Sequence, residues 1–166
     1  PAITLNAPKG MAIRGDSLFV ADVKCIRIFN RVTGRRANEV CIESASVLND
    51  IAVGPEGSIF VTDSGFREGA GGAFEPTGTD AVYRLTLRQD QAGATIAKDP
   101  DLGMPNGIAV GSRGIFVVTF GSGEVLRFTP NGEKSVLIPG GQRQLDGIVF
   151  DRQGGFLFSS WGERAV

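Results

Sequence analysis

Lys9, Asn49, Asn106 and Asp146 each open the same local pattern in the sequence, and three of the four carry side-chain oxygens. The pattern is a polar residue, a small or acidic one, an apolar triplet, a turn containing glycine, and a second apolar run. It reads KGMAIRGDSLFVAD from Lys9, NDIAVGPEGSIFVTD from Asn49, NGIAVGSRGIFVVTF from Asn106 and DGIVFDRQGGFLFSSW from Asp146. Asparagine and aspartate offer hard oxygen ligands, of which calcium takes about six to eight. A single Asn-Gly or Asp-Gly at a strand entrance is ordinary turn chemistry. Three such residues at one register can instead converge on a shared cation. Lys9 in the fourth place opposes that reading, because two positive charges repel, unless its long stem carries the ammonium elsewhere.

The composition removes several chemistries outright. There is no histidine among the 166 residues, so Ser-His-Asp and Cys-His catalysis and His-ligated zinc or haem have no residues here. A quinone-dependent sugar dehydrogenase is disfavoured for want of its histidine base. The two cysteines, Cys25 and Cys41, are too few for a zinc knuckle or a disulfide framework. With 17 basic and 18 acidic residues the net charge is −1, which gives nucleic acid no electrostatic footprint. No apolar run approaches the ~18 residues of a membrane span, so neither nucleic acid nor membrane is an expected partner. The 42% hydrophobic and 21% charged content suits a globular domain.

Repetition indicates which elements must position these residues. From Lys9 to Asn49 is 40 residues, to Asn106 a further 57, and to Asp146 a further 40. A 40-residue step matches a propeller blade of four short antiparallel strands. Helical periodicity is absent, and the β-branched and aromatic runs are short. The expected fold is all-β: a β-propeller of four-stranded antiparallel blades in a single domain, residues 1–166, with blades near 8–43, 48–99, 105–139 and 145–166. In the second blade the strands should be Ile51–Val53, Ser58–Asp63, Ala81–Leu87 and Ala94–Lys98. In the third they should be Ile108–Val110, Ile115–Phe120, Glu124–Thr129 and Lys134–Ile138. The long step holds a glycine-rich insertion, Ser64 to Asp80, without strand pattern, and such loops on rigid scaffolds are usually functional or mobile. The fourth repeat stops where its third strand should begin, and Pro1 to Ala7 reads as the end of a preceding blade. An open arc of about three and a half blades is therefore expected, with a compact four-bladed ring as the rival.

The strings LNDIAVGPEGSIFVTDSG, MPNGIAV and LDGIVFD…GGFLFSSW resemble the SMP-30/gluconolactonase/LRE-like family of six-bladed, calcium-dependent propellers. The likeness spans essentially the whole chain as blades two to five of six. The opening LNAPKGMAIRGDSLFVADV is similar to a bacterial branch with many exported members, which implies an extracytoplasmic location, periplasmic or secreted. The resemblance implies a calcium ion, or another divalent cation, held by Asn106, Asp146 and a first-blade glutamate that has no counterpart in this sequence. It places Asn49 facing both metal and substrate. It makes Asp146 the general base as well as a ligand.

Departures from the family pattern narrow the substrate. Sugar lactonases of this family carry an arginine two residues before the asparagine of the ND motif, where this chain has Val47. Bidentate recognition of sugar oxygens is lost there, and Arg67, Glu68 or Glu75 of the insertion could replace it. Phe120 and Trp161, at corresponding strand ends, either line an apolar substrate cleft or pack between blades. Asp63 reads as a strand-end cap. The expected function is calcium-dependent hydrolysis of a small-molecule lactone or related ester. The alternative is a non-catalytic propeller of NHL type that binds a protein or carbohydrate. Alkaloid-synthase-like carbon–carbon bond formation has no residue in its favour. Finally, strands Val23–Asn30 and Ala37–Ile42 should pair around Thr33, setting Cys25 opposite Cys41. A disulfide and two reduced, buried thiols are both compatible with that register.

Overall fold

The computed structural model describes residues 4–85, 94–141 and 143–166. Three four-stranded antiparallel sheets follow one another along the chain. The first is β1 (Pro8–Arg14), β2 (Ser17–Asp22), β3 (Cys25–Asn30) and β4 (Arg36–Cys41), paired in that order. The second has β5 (Leu48–Val53) and β6 (Ile59–Asp63), then a small hairpin outside the sheet, β7 (Phe66–Glu68) with β8 (Phe74–Pro76), then β9 (Ala81–Leu85) and β10 (Ala94–Lys98). The third is β11 (Pro105–Gly111), β12 (Gly114–Thr119), β13 (Val125–Phe128) and β14 (Lys134–Ile138). A fourth sheet holds β15 (Leu145–Phe150) and β16 (Phe156–Ser160). The innermost strands pack in sequence, β1 against β5, β5 against β11, and β11 against β15. This is the expected all-β propeller arc.

Both faces of the middle blades are covered, and their second strands show it. All five residues of β6 are buried, as a short continuous apolar run predicts for a strand sandwiched on both sides. Ile59 and Val61 join Phe19, Ile26 and Leu48 in the core between the first and second blades. Phe60, between them in sequence, points the other way and packs with Leu102, Ile115 and Phe128 of the next core. Phe116, Val118 and Leu145 fill the third interface. Met11 and Ile13 on the first blade and Val149 and Leu157 on the last lie exposed on the two open flanks of the arc.

Several expectations need correction. The inner strands start earlier than the apolar triplets, at Leu48 rather than Ile51 and at Pro105 rather than Ile108. The insertion is not strandless, since Phe66–Glu68 pairs with Phe74–Pro76. The expected third strand of the second blade runs into residues 86–87, which lie outside the described residues, as do residues 1–3 of the opening segment. Residues 4–7, the described part of the segment before β1, do not extend the last sheet, in keeping with the expected open arc. Instead the backbone N–H groups of Asn6 and Ala7 each donate to Asp22 Oδ1 at 2.8 Å.

Asp22 and Asp63 act as strand-end acceptors at the ends of the second strands β2 and β6. Asp63 accepts from the N–H groups of Ser46, Val47 and Gly65, which is the cap expected of it. Burial pushes the Asp22 carboxyl up, but the N–H groups of Ala7 and Asn6 and the Arg27 guanidinium outweigh it and hold the group below the ordinary carboxylate value. Cys25 lies directly opposite Cys41 on β3 and β4, and the two form a disulfide. Of the two outcomes the register allowed, the bond is the one found. Cross-linking this hairpin restricts the unfolded chain by ~3 kcal/mol for a loop of this size. Replacing both cysteines by serine should lower stability by about that amount in a denaturant titration, with the far-ultraviolet circular dichroism of the sheets retained.

Candidate ligand-binding cleft

The four repeat-start residues sit inside a recurring bulge. In each blade the register between the first two strands slips at one place, between Pro8 and Met11, Leu48 and Ile51, Pro105 and Ile108, and Leu145 and Ile148. Lys9, Asn49, Asn106 and Asp146 occupy those four slips. A bulge adds a residue to one strand and re-aims its side chain, which is why bulges recur beside functional sites. The site residues therefore project from within the inner strands rather than from turns ahead of them.

Close approach of the inner strands depends on glycine next to these residues. A Cβ on Gly10 would fall 2.6 Å from the Asp50 Cα, and one on Gly107 would fall 2.4 Å from the Asp146 carbonyl oxygen. Neither has a positive φ, so their role is proximity between strands rather than unusual backbone shape. The second blade has Asp50 in the glycine register, and its carboxylate clasps two strands. Oδ1 accepts from the Ile51 N–H at 2.8 Å and Oδ2 from the Ile108 N–H at 3.0 Å. The Asp50 N–H donates to Thr62 Oγ1, whose hydroxyl donates to the Asn106 carbonyl at 2.6 Å. Burial pushes the Asp50 carboxyl above its ordinary value, the two N–H bonds partly oppose this, and the nearby Asp146 charge adds to the rise.

The four side chains meet at one cleft of about 220 Å³. Its lining comprises Lys9, Asn49, Asn106 and Asp146 with Phe120 and Trp161, joined by Ser64, Phe66, Phe74 and Met104. Asn106 is 6% exposed, and its Nδ2 donates to Asp146 Oδ1 at 3.1 Å and to the Leu145 carbonyl at 3.3 Å. Trp161 Nε1 donates to Asp146 Oδ2 at 3.2 Å. Asn49 Nδ2 donates to Ser64 Oγ at 2.8 Å, and that hydroxyl donates to the Pro105 carbonyl. Amide and indole donors thus hold the carboxylate in a fixed orientation. Each carboxylate oxygen has a second lone pair, so both can still accept.

Arg67 stands apart. It pairs with Glu75 across the β7–β8 hairpin at 2.9 Å, with most of its side chain in solvent, and it does not line the cleft. Glu68, the third charged candidate of the insertion, does not line it either. Glu75 is likewise outside it, whereas Lys9, Asn49, Asn106, Asp146, Phe120 and Trp161 come together. Sequence reasoning missed Asp50, Ser64, Met104, Phe66 and Phe74. The signal for the bulge was present in the three-residue spacing of buried Leu48 and Ile51, and of Leu145 and Ile148, which breaks the two-residue alternation of a strand.

As a cation site, the cleft offers hard oxygens on two amides and one carboxylate, the right donor type for calcium. They fit as part of a ligand set, since a calcium ion takes about six to eight oxygens. Lys9, lining the same cleft, offsets the single negative charge. Among the described residues the one cluster of three His, Cys, Asp or Glu ligand atoms is Cys25, Glu39 and Cys41, and its sulfurs are spent in the disulfide.

Fold and cleft together define a β-propeller protein with a mixed polar and aromatic cleft built around inner-strand bulges. Among solved structures the chain is similar to virginiamycin B lyase from Staphylococcus aureus, seen as a catalytically inactive histidine-to-alanine variant with quinupristin. There the identity is 18%, the TM-score is 0.69, and the match covers 95% of this chain and 50% of that one. It is also similar to a streptogramin B lyase structure, at 18% identity and TM-score 0.69, covering 93% of this chain and 48% of that one. A third similar structure is the computationally designed Ika4 protein, at 10% identity and TM-score 0.61, covering 93% and 91% respectively. No family model and no curated protein matches the sequence. The chain spans about half the length of the lyases it resembles, and these likenesses carry the propeller fold alone.

Proposed function

We propose that the cleft binds a lactone or related ester and hydrolyses it, with Asp146 as general base. The observation that carries this reading is the meeting of Asn49, Asn106 and Asp146, from the same bulge of three successive blades, at one cleft. The Asn106 amide and the Trp161 indole aim the Asp146 carboxylate while leaving lone pairs open to a water molecule. The water oxygen attacks the ester carbonyl carbon and its proton passes to Asp146. Collapse of the adduct breaks the bond to the ester oxygen, which takes the proton back from Asp146. The Lys9 ammonium favours the negative charge that builds on the carbonyl oxygen. A calcium or other divalent cation held by Asn49, Asn106 and Asp146 would polarise the same carbonyl as a Lewis acid.

A panel of unsubstituted and substituted lactones, assayed with the intact protein, tests the hydrolase. Ring opening that requires Asp146 supports it, and a panel without turnover removes it. The cation has its own test. Calorimetric titration with calcium should saturate for the wild type, and Asn106→Ala should weaken binding by about tenfold or more. Identical titrations for the two proteins would place any bound calcium elsewhere.

One observation favours a second reading, the non-catalytic NHL-type propeller that binds protein or carbohydrate. Lys9 occupies the register position where a fourth oxygen would complete a cation ring. Saturable ligand binding without turnover across the lactone panel would select that reading. The Cys25–Cys41 bond supports placing the protein outside the cytoplasm in either case.

A further inference from the structure

Four aromatic rings run in an unbroken edge-to-face series along one wall of the cleft. Phe66 meets Phe74 at 4.7 Å between ring centroids, Phe74 meets Phe120 at 5.8 Å, and Phe120 meets Trp161 at 5.6 Å. The interplanar angles are 71°, 82° and 84°, the T-shaped geometry in which ring edges address ring faces. These rings come from three separate places in the chain. Phe66 and Phe74 lie on the β7–β8 insertion, Phe120 follows β12, and Trp161 follows β16. Core packing does not account for them, because Phe74 is 49% and Trp161 62% exposed while Phe19, Phe116 and Phe128 are buried. The series ends at the reactive group, where Trp161 Nε1 donates to Asp146 Oδ2. No arginine lines the cleft to read sugar oxygens, and Arg67 is engaged with Glu75 outside it.

We infer that Phe66, Phe74, Phe120 and Trp161 form a subsite for an aryl group, so that the ligand is an aryl-substituted lactone or ester rather than a sugar lactone. The inference rests on the ester reading of the same cleft. An aryl ring extending the series makes the same edge-to-face contacts the four rings make with one another. It would sit beside the carboxylate that acts on the ester. The insertion in the second blade then has a definite task, supplying two of the four rings.

The test uses α-benzyl-γ-butyrolactone against γ-butyrolactone, two esters with the same leaving oxygen. The intact protein should prefer the benzyl compound by about tenfold in kcat/KM, and by a similar factor in affinity. Trp161 is the single tryptophan, so its fluorescence reports binding whether or not turnover occurs. Phe74→Leu, which keeps an apolar side chain but removes the ring, should bring the preference close to one. Phe74→Tyr should retain it. Saturable, ring-dependent binding without turnover would sustain the aryl subsite and sink the hydrolase. Equal affinity for both lactones, a preference untouched by Phe74→Leu, or no binding of either would overturn the subsite.

Discussion

Replacing Asp146 by asparagine should lower kcat/KM for a lactone by about two to four orders of magnitude, the range general-base catalysis supplies. The amide nitrogen cannot take a proton from water. The change has a structural cost as well. Both carboxylate oxygens accept N–H bonds, from Asn106 and from Trp161, and an amide has one oxygen to offer them. One donor must therefore lose its partner, worth about 1–3 kcal/mol where the group is buried. Trp161 is the exposed member of the pair, so the indole bond should be the one given up, with water taking its place. Thermal unfolding should accordingly shift little while activity disappears. Wild-type rates in Asp146→Asn would remove the base and leave the cleft as a binding site.

The largest structural effect should come from Gly107→Ala. The added methyl would meet the Asp146 carbonyl oxygen at 2.4 Å and the Gly147 Cα at 2.9 Å. These are backbone atoms of the neighbouring inner strand and have no rotamer to escape into. Overpacking of this kind costs about 1–3 kcal/mol even where side chains can adjust, so the upper end of that range or more is expected here. Relief requires β11 and β15 to separate, which would also part Asn106 from Asp146. Stability and activity should fall together, measured by urea denaturation and lactone turnover. Gly147→Ala is the matched control in the next blade. Its Cβ would meet only Ser159 Oγ, at an ordinary 3.4 Å. A Gly107→Ala protein as stable as Gly147→Ala would show that the strands do not depend on this contact.

Much of the fold was legible because repeats declare themselves at the level of residue type. The 40-residue step, the apolar triplets and the glycine turns set blade number and strand order without reference to contacts. The Cys25–Cys41 register followed from counting outward from the hairpin turn, and the hairpin pairs as counted. The convergence of Asn49, Asn106 and Asp146 was readable for the same reason, since equivalent positions of successive blades must face a common axis. What escaped the sequence depends on relations between blades. Asp50 was visible only as the second letter of an Asn-Asp pair, yet its carboxylate reaches across to the Ile108 N–H. Phe66 and Phe74 lie in a stretch whose glycines hide its short hairpin. Their side chains matter because Phe120, more than forty residues later, packs against Phe74. Arg67 was a candidate for substrate recognition in the insertion, and the hairpin pairs it with Glu75 instead.

In the proposed mechanism a water molecule activated by Asp146 opens an ester bound in this cleft. Turnover of an aryl-substituted lactone in oxygen-18-labelled water tests it most directly. Hydrolysis by attack at the carbonyl carbon predicts an acid product carrying one labelled oxygen in its new carboxylate, formed about two to four orders of magnitude more slowly by Asp146→Asn. A ring-opened product without label would identify an elimination instead of a hydrolysis. That outcome, or labelled product formed equally well by Asp146→Asn, would contradict the account.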